Sequence, residues 1–232
     1  MTMSIWNEKC ILSPSLICLD MCNLENQMRV LEQCGVGLLH VDILDGHFSP
    51  SMPLGLDTVR QLRAKTDMPF DCHVMVTAQD YFVDELLDIG VQQIVFHGET
   101  QPHVDGMLNR IHARGVRAGV ALKPATPLST LEYVLDKCDA VLLMLINPGY
   151  AFVKGEKQVD YADRKIRELR EMIDRRGLDT RIELDGRIST KNIEDWGGGA
   201  ADVFVTGSTC LDRNDLPGSF ARLNALRAQV LG

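Results

Sequence analysis

A chain of 232 residues with 24 basic and 32 acidic side chains carries a formal charge of −8. That balance, with a sequence pI near 5.2, excludes nucleic acid and anionic membranes as main partners, since both need a basic patch; a local basic site for a small phosphate is still compatible. Hydrophobic residues at 45% and charged residues at 24% exclude a disordered chain.

The opening residues 1–9 show no apolar signal core and no small-residue cleavage site. The longest clean apolar run, 140–146, is far too short to cross a bilayer. Cysteines 10, 18, 22, 34, 72, 138 and 210 are scattered, odd in number and without a Cys-x-x-Cys pair, and read as buried thiols in a reducing compartment, the cytoplasm. No low-complexity stretch or Pro/Gly/Ser linker divides the chain, so residues 1–232 are expected to form one domain.

The predicted elements alternate along the chain. A strand over 11–13 precedes helical spacing in Leu24, Met28 and Leu31, with Asn23 and Gly35 placed as caps. Strand 38–43 precedes Val59 and Leu62; strand 70–74 precedes Phe82, Leu86 and Ile89, ending at Gly90. Strand 93–97 precedes Met107 and Ile111, ending at Gly115; strand 116–122 precedes Leu131, Val134 and Leu135. Strand 140–146 precedes Ile166, Leu169 and Ile173, ending at Gly177; strand 181–184 precedes Ile193 and Trp196. Strand 202–206 precedes Phe220, Leu223, Leu226 and Val230. Eight strand–helix units in 232 residues average about 29 residues each. Alternation specifies a parallel sheet. The first turn, Ser13-Pro14-Ser15-Leu16, lacks the Gly-x-Gly-x-x-Gly of open dinucleotide-binding sheets. The expected fold is therefore the closed α/β (β/α)₈ TIM barrel.

Chemistry in such barrels sits at the C-terminal ends of the strands. Those ends hold Ser13, His40 with Asp42, His73 with Met75, His97 with Glu99, Lys123, Asn147, Asp185 and Gly207-Ser208. Side chains alternate along a strand, so His40 and Asp42 share one face while Leu39, Val41 and Ile43 share the other. The greasy face must receive helices, which puts His40 and Asp42 inside the mouth. A lone strand-end histidine is usually structural. Three inward ligand-type residues on adjacent strands are harder to explain, since each unpaired buried polar group costs about 1–3 kcal/mol. Asp185 faces Asp42 across the mouth. Two imidazoles and two carboxylates make a mixed N/O site for one divalent ion, zinc first and iron, manganese or cobalt as alternatives; a metal-free ion-pair network is the competing reading. A metal chelated by a ketone and its neighbouring hydroxyl stabilises an enediolate. One aspartate can then remove the α-proton and the other return one to the opposite face, giving the epimer.

The sequence resembles the ribulose-phosphate 3-epimerase family. The likeness is carried by Ser13-Pro14-Ser15, by His40-Val41-Asp42-Ile43-Leu44-Asp45-Gly46-His47-Phe48 and by Asp71-Cys72-His73-Val74-Met75-Val76. It continues in His97-Gly98-Glu99, Lys123-Pro124-Ala125-Thr126-Pro127, Asn147-Pro148-Gly149, Glu183-Leu184-Asp185-Gly186 and Gly207-Ser208. The resemblance implies a divalent metal on His40, Asp42, His73 and Asp185, Asp42 and Asp185 as the catalytic acid/base pair, and Ser13 and His73 against substrate. It further implies a small phosphorylated ketose as substrate and a homo-oligomer.

The departures lie at the phosphate end. The family's Phe-Gly-Gly loop reads Tyr150-Ala151-Phe152 after Gly149, its Asp-Gly-Gly reads Asp185-Gly186-Arg187, and Leu44 stands where Met is common. Gly149, Gly186, Gly207 and Ser208 remain expected substrate contacts, the last two because barrels often bind phosphate after strands 7 and 8. Arg187 is either a replacement phosphate ligand or a solvated loop arginine. Met75 and Met144 read as core filling; Glu99 either orients a neighbour or ends a strand in a salt bridge. The leading expectation is 3-epimerisation of ribulose 5-phosphate/xylulose 5-phosphate or a close analogue. The alternatives are a ketohexose 6-phosphate such as allulose 6-phosphate, a tetrulose phosphate, a metal-dependent aldolase and a non-catalytic sugar-phosphate sensor.

Overall fold

The computed structural model describes residues 5–150 and 153–232. Eight parallel strands form one sheet: β1 (Ile11–Pro14), β2 (Leu39–Leu44), β3 (Phe70–Met75), β4 (Gln93–His97), β5 (Arg117–Leu122), β6 (Ala140–Met144), β7 (Arg181–Asp185) and β8 (Val203–Thr206). They hydrogen-bond in the order β1-β8-β7-β6-β5-β4-β3-β2, and a parallel bridge from Ser15 to His40 joins the two ends into a ring. The helices around it are α1 (Leu24–Gln33), α2 (Leu56–Arg63), α3 (Gln79–Ile89), α4 (Val104–His112), α5 (Ala162–Arg176), α6 (Thr190–Trp196) and α7 (Leu216–Leu231). The expected (β/α)₈ architecture is present.

Every predicted strand lies within two residues of an observed one. The fifth helix does not form. Leu128–Leu131 and Leu135–Lys137 are short 3₁₀ turns. Pro124 and Pro127 withhold amide donors from the entry to that segment, and the Thr130 hydroxyl bonds to the Pro127 carbonyl, an alternative to a helical ladder. Leu131 and Leu135 are nevertheless fully buried. Their spacing marked burial, which two 3₁₀ turns satisfy as well as a helix. Gly90 and Gly177 end α3 and α5 as expected, whereas Asn23 precedes α1 without a side-chain capping bond.

The pleat sorts the core into layers. Leu39, Val41 and Ile43 of β2 join the sheath between strands and helices, with Val74, Leu143 and Leu184 from other strands. Inside the ring a smaller apolar patch forms from Val95, Ala121, Ala140, Leu142, Met144 and Ile146. Ile11, Leu38 and Val203 close the floor against Ile5 and Trp6. The remaining interior is polar, with His40, Asp71, His73, Gln93, His97 and Glu183 all fully buried. All seven cysteines are free thiols. The expectation that they are buried holds for Cys10, Cys72 and Cys138; Cys18, Cys34 and Cys210 are half-buried and Cys22 is exposed on the turn before α1. No helix among the described residues is long and apolar enough to cross a membrane.

Candidate active site

The mouth of the barrel holds a cleft lined by residues from the C-terminal ends of several strands, Asp42, Met75, Met144 and Asp185 among them. Asp42, at 3% exposure, comes from β2. Asp185 ends β7 with a side chain 17% exposed, and both carboxylates line the cleft. His40 and His73 lie fully buried beside them. His40 Nε2 is 3.4 Å from Asp42 Oδ1 and 3.9 Å from Asp185 Oδ2. His73 Nδ1 is 3.5 Å from each of the same two oxygens. One atom from each of the four residues falls within 4.8 Å of all the others.

The donor set fits a divalent ion. His40 Nε2 and His73 Nδ1 are buried without a hydrogen-bond partner among the described residues. Four ligands at about 2.1 Å from a tetrahedral centre stand about 3.4 Å apart, close to the separations here. In the metal-free chain burial opposes charge on His40, but Asp42 and Asp71 outweigh it and hold its pKa well above the ordinary imidazole value. His73 is likewise raised, Asp185 and Asp42 overcoming its burial. Burial also opposes the charge on Asp42, yet His40 and His73 keep its carboxyl far below the usual carboxylate range.

Outer partners orient this set. Ser15 Oγ donates to Asp42 Oδ2 at 2.6 Å. His40 Nδ1 lies 2.8 Å from Asp71 Oδ2; a carboxylate only accepts, so Nδ1 keeps its proton and Nε2 is the nitrogen left to face the cluster. Asp71 Oδ1 accepts from Gln93 Nε2 at 2.8 Å, and the same amide nitrogen reaches Glu183 Oε1 at 2.6 Å. Burial and then the Asp71 charge push the Glu183 carboxyl well above its ordinary pKa.

Ser13 requires a correction. It does not line the cleft; it is fully buried, with Oγ 3.4 Å from the Leu38 carbonyl. Ser15 lies two residues along the same face, one layer nearer the mouth, and does line the cleft. In Ser13-Pro14-Ser15 alternation gives both serines one face, so the sequence pattern alone does not rank them. His73 is placed in the ligand cluster and not on the cleft wall. Met75 and Met144, read as core filling, are buried yet form the apolar wall with Leu44 and Ile146.

The far end of the cleft gathers Gly149, Gly186, Arg187, Gly207 and Ser208. Gly149 has φ +82°, and a Cβ there would lie 2.0 Å from Ser49 Oγ. Gly186 has φ +114°, and its Cβ would lie 2.9 Å from the Ile146 amide nitrogen. Neither position admits a side chain. Arg187 follows at φ +52°, in the left-handed region, with Nη2 donating to the Val153 carbonyl at 2.9 Å. Ala151 and Phe152, the substituted glycines of the loop, lie outside the described residues.

A parallel eight-stranded barrel with ionisable side chains gathered at its mouth has the architecture of a barrel enzyme. A model of the ribulose-phosphate 3 epimerase family matches residues 11–211. The ribulose-phosphate 3-epimerase of Escherichia coli (strain K12) is 36% identical over 206 residues, covering 88% of this chain and 90% of that protein. That of Mycobacterium tuberculosis is 33% identical over 220 residues, covering 95% and 93%. The chain belongs to the ribulose-phosphate 3-epimerase family and is an isomerase of the epimerase kind. Among solved structures, KGPDC from Streptococcus mutans superposes with TM-score 0.73 at 14% identity, over 95% of this chain and 98% of that one. The tryptophan synthase alpha subunit of Legionella pneumophila superposes with TM-score 0.61 at 16% identity, over 96% and 93%. These likenesses show the barrel fold.

Proposed function

We propose that the chain is a metal-dependent 3-epimerase of a ketose phosphate, interconverting ribulose 5-phosphate and xylulose 5-phosphate or a close analogue. One observation carries the reading: Asp42 and Asp185 reach the same cleft from β2 and β7, each within 4 Å of the same pair of imidazole nitrogens. His40, Asp42, His73 and Asp185 would hold one divalent ion, zinc in preference to iron, manganese or cobalt. When bound, that ion supplies Lewis acidity that favours an enediolate over the neutral ketone. The two aspartates supply the proton traffic. Asp42, kept ionised and fixed through Oδ2 by Ser15, takes or delivers the C3 proton on one face. Asp185 does so on the other. Met75, Met144 and Ile146 exclude water from the carbon chain between them. Seven free thiols support a reducing cytoplasm, and the family likeness supports a homo-oligomer.

The test is a panel of tetrulose, pentulose and hexulose phosphates incubated in deuterated water. Epimer should form fastest with the pentulose phosphate and gain deuterium at the inverted carbon, because different acids remove and return the proton. Complete retention of the substrate hydrogen, or cleavage of a carbon–carbon bond, overturns the reading.

Arg187 is assigned to the phosphate within the same proposal. A non-glycine residue in the left-handed region costs about 1–2 kcal/mol, and strain of this kind persists where surrounding structure and function require it. The arginine keeps the backbone of a family glycine while adding a guanidinium to the phosphate end. Arg187→Ala should raise KM for the phosphorylated ketose about 10- to 100-fold, from a charged hydrogen bond worth about 1.5–3 kcal/mol, with metal content unchanged. Wild-type KM and kcat in that variant would make Arg187 a loop-tethering residue only.

A further inference from the structure

We propose that His97 and Glu99 are positioning residues that keep a proton on His73 Nε2, so that Nδ1 is the nitrogen that can give up its proton to a metal beside Asp42 and Asp185. The inference rests on the metal-centre reading of those residues. It concerns two side chains that lie off the cleft wall.

His40 and His73 face the same two carboxylates with opposite ring nitrogens, Nε2 from one and Nδ1 from the other. His40 is fixed directly by the Asp71 carboxylate. His73 has no carboxylate behind it. Its Nε2 lies 2.9 Å from Nε2 of another ring, His97. Once His73 has given up its extra proton, one nitrogen of the pair must donate and the other accept, and nothing in two neutral imidazoles decides which. The decision is made one residue further out. His97 Nδ1 lies 2.9 Å from Glu99 Oε2. The other carboxylate oxygen, Oε1, accepts the Lys123 amide at 2.7 Å and the Thr126 hydroxyl. A carboxylate bound by donors on both oxygens is an acceptor only. His97 therefore carries its proton on Nδ1 and presents a lone pair at Nε2. His73 must donate to that lone pair, so its Nδ1 is the nitrogen left for a metal. The opposite tautomer of His97 would set a lone pair against the Glu99 carboxylate and would turn the His73 proton inward, onto the nitrogen that faces Asp42 and Asp185.

Packing holds the relay in place. The Phe48 ring lies 4.6 Å from the His97 ring, and Lys123 Nζ sits 4.1 Å from the centre of the same Phe48 ring. Phe48 itself is anchored by its amide donating to Asp45 Oδ1 at 2.8 Å. His97 is fully buried. It has no route to substrate, so its work is to set the protonation pattern of His73.

The test reads histidine tautomers by nitrogen-15 NMR on the full-length chain, both metal-stripped and zinc-loaded. His97 should be protonated on Nδ1 and bare on Nε2 in both forms. In Glu99→Leu, His97 should populate both tautomers, and zinc affinity measured by chelator competition should fall about 10- to 100-fold, the usual effect of losing an outer partner of a ligand. A wild-type His97 with its proton on Nε2 overturns the proposal, as does a Glu99→Leu chain with wild-type zinc affinity. The wild-type spectrum decides the matter even if the variant does not fold. Failure of wild-type protein to bind zinc would refute the metal centre separately, while the metal-stripped spectrum still judges the relay.

Discussion

Asp185→Asn is expected to lower kcat by at least about 10²-fold, the lower end of general acid–base contributions, at saturating metal. A carboxamide keeps the shape and one oxygen ligand of the aspartate but takes up no proton in the working pH range. The position makes the effect one-sided. Asp185 ends β7 and Asp42 lies on β2, so the substitution leaves the Asp42–Ser15 hydrogen bond of 2.6 Å untouched. The variant should therefore still bind substrate, with KM changed far less than kcat. A readout finer than the rate is available: proton exchange at C3 without inversion, catalysed by Asp42 alone, should outlast net epimerisation. Turnover within tenfold of wild type, with metal content measured in the same sample, would remove Asp185 from the acid/base pair.

Metal removal is expected to cost more. Lewis-acid stabilisation is worth several kcal/mol, so chelation should reduce activity about 10³-fold or more, with recovery on adding zinc. His73→Ala should lose metal under dialysis conditions that leave wild type loaded. Without metal, the His40 and His73 imidazoles have pKa values raised by the carboxylates that outweigh their burial. Those protons must leave when metal enters, so zinc affinity should fall as pH drops and should keep rising above the ordinary imidazole range. An activity that survives exhaustive chelation, or a zinc affinity flat across that range, contradicts a site made of these four residues.

The strands and their chemistry were readable because alternation is strict in a buried parallel strand. Leu39, Val41 and Ile43 could only face the helices, so His40 and Asp42 could only face inward, and the structure places them so. The same rule applied to Asp71-Cys72-His73 would have put Asp71 inward with His73, one layer lower, where it meets His40 Nδ1. Ser13 against Ser15 was beyond the rule, because strand length decides which of two same-face residues reaches the mouth. The segment 123–139 misled for another reason. Apolar spacing reports which residues are buried, and only the amide supply near Pro124 and Pro127 reveals that the burial is achieved without a helix. The relay through His97 pairs residues 24 apart in sequence with a carboxylate two further on; strand register, which no local pattern contains, brings them together.

The ring of strands is a hoop with one clasp. Seven junctions are ladders of two or more paired residues, while β1 meets β2 through the single bridge from Ser15 to His40. A junction with so few backbone hydrogen bonds is where a sheet parts most readily. Here the clasp is made of groups from the proposed site: Ser15 bonds Asp42, and His40 belongs to the cluster that reaches across to β3 and β7. An ion held by side chains from β2, β3 and β7 would not span the slit directly, yet it would stiffen one lip of it. Loading the site would then tighten the barrel at its weakest stitch.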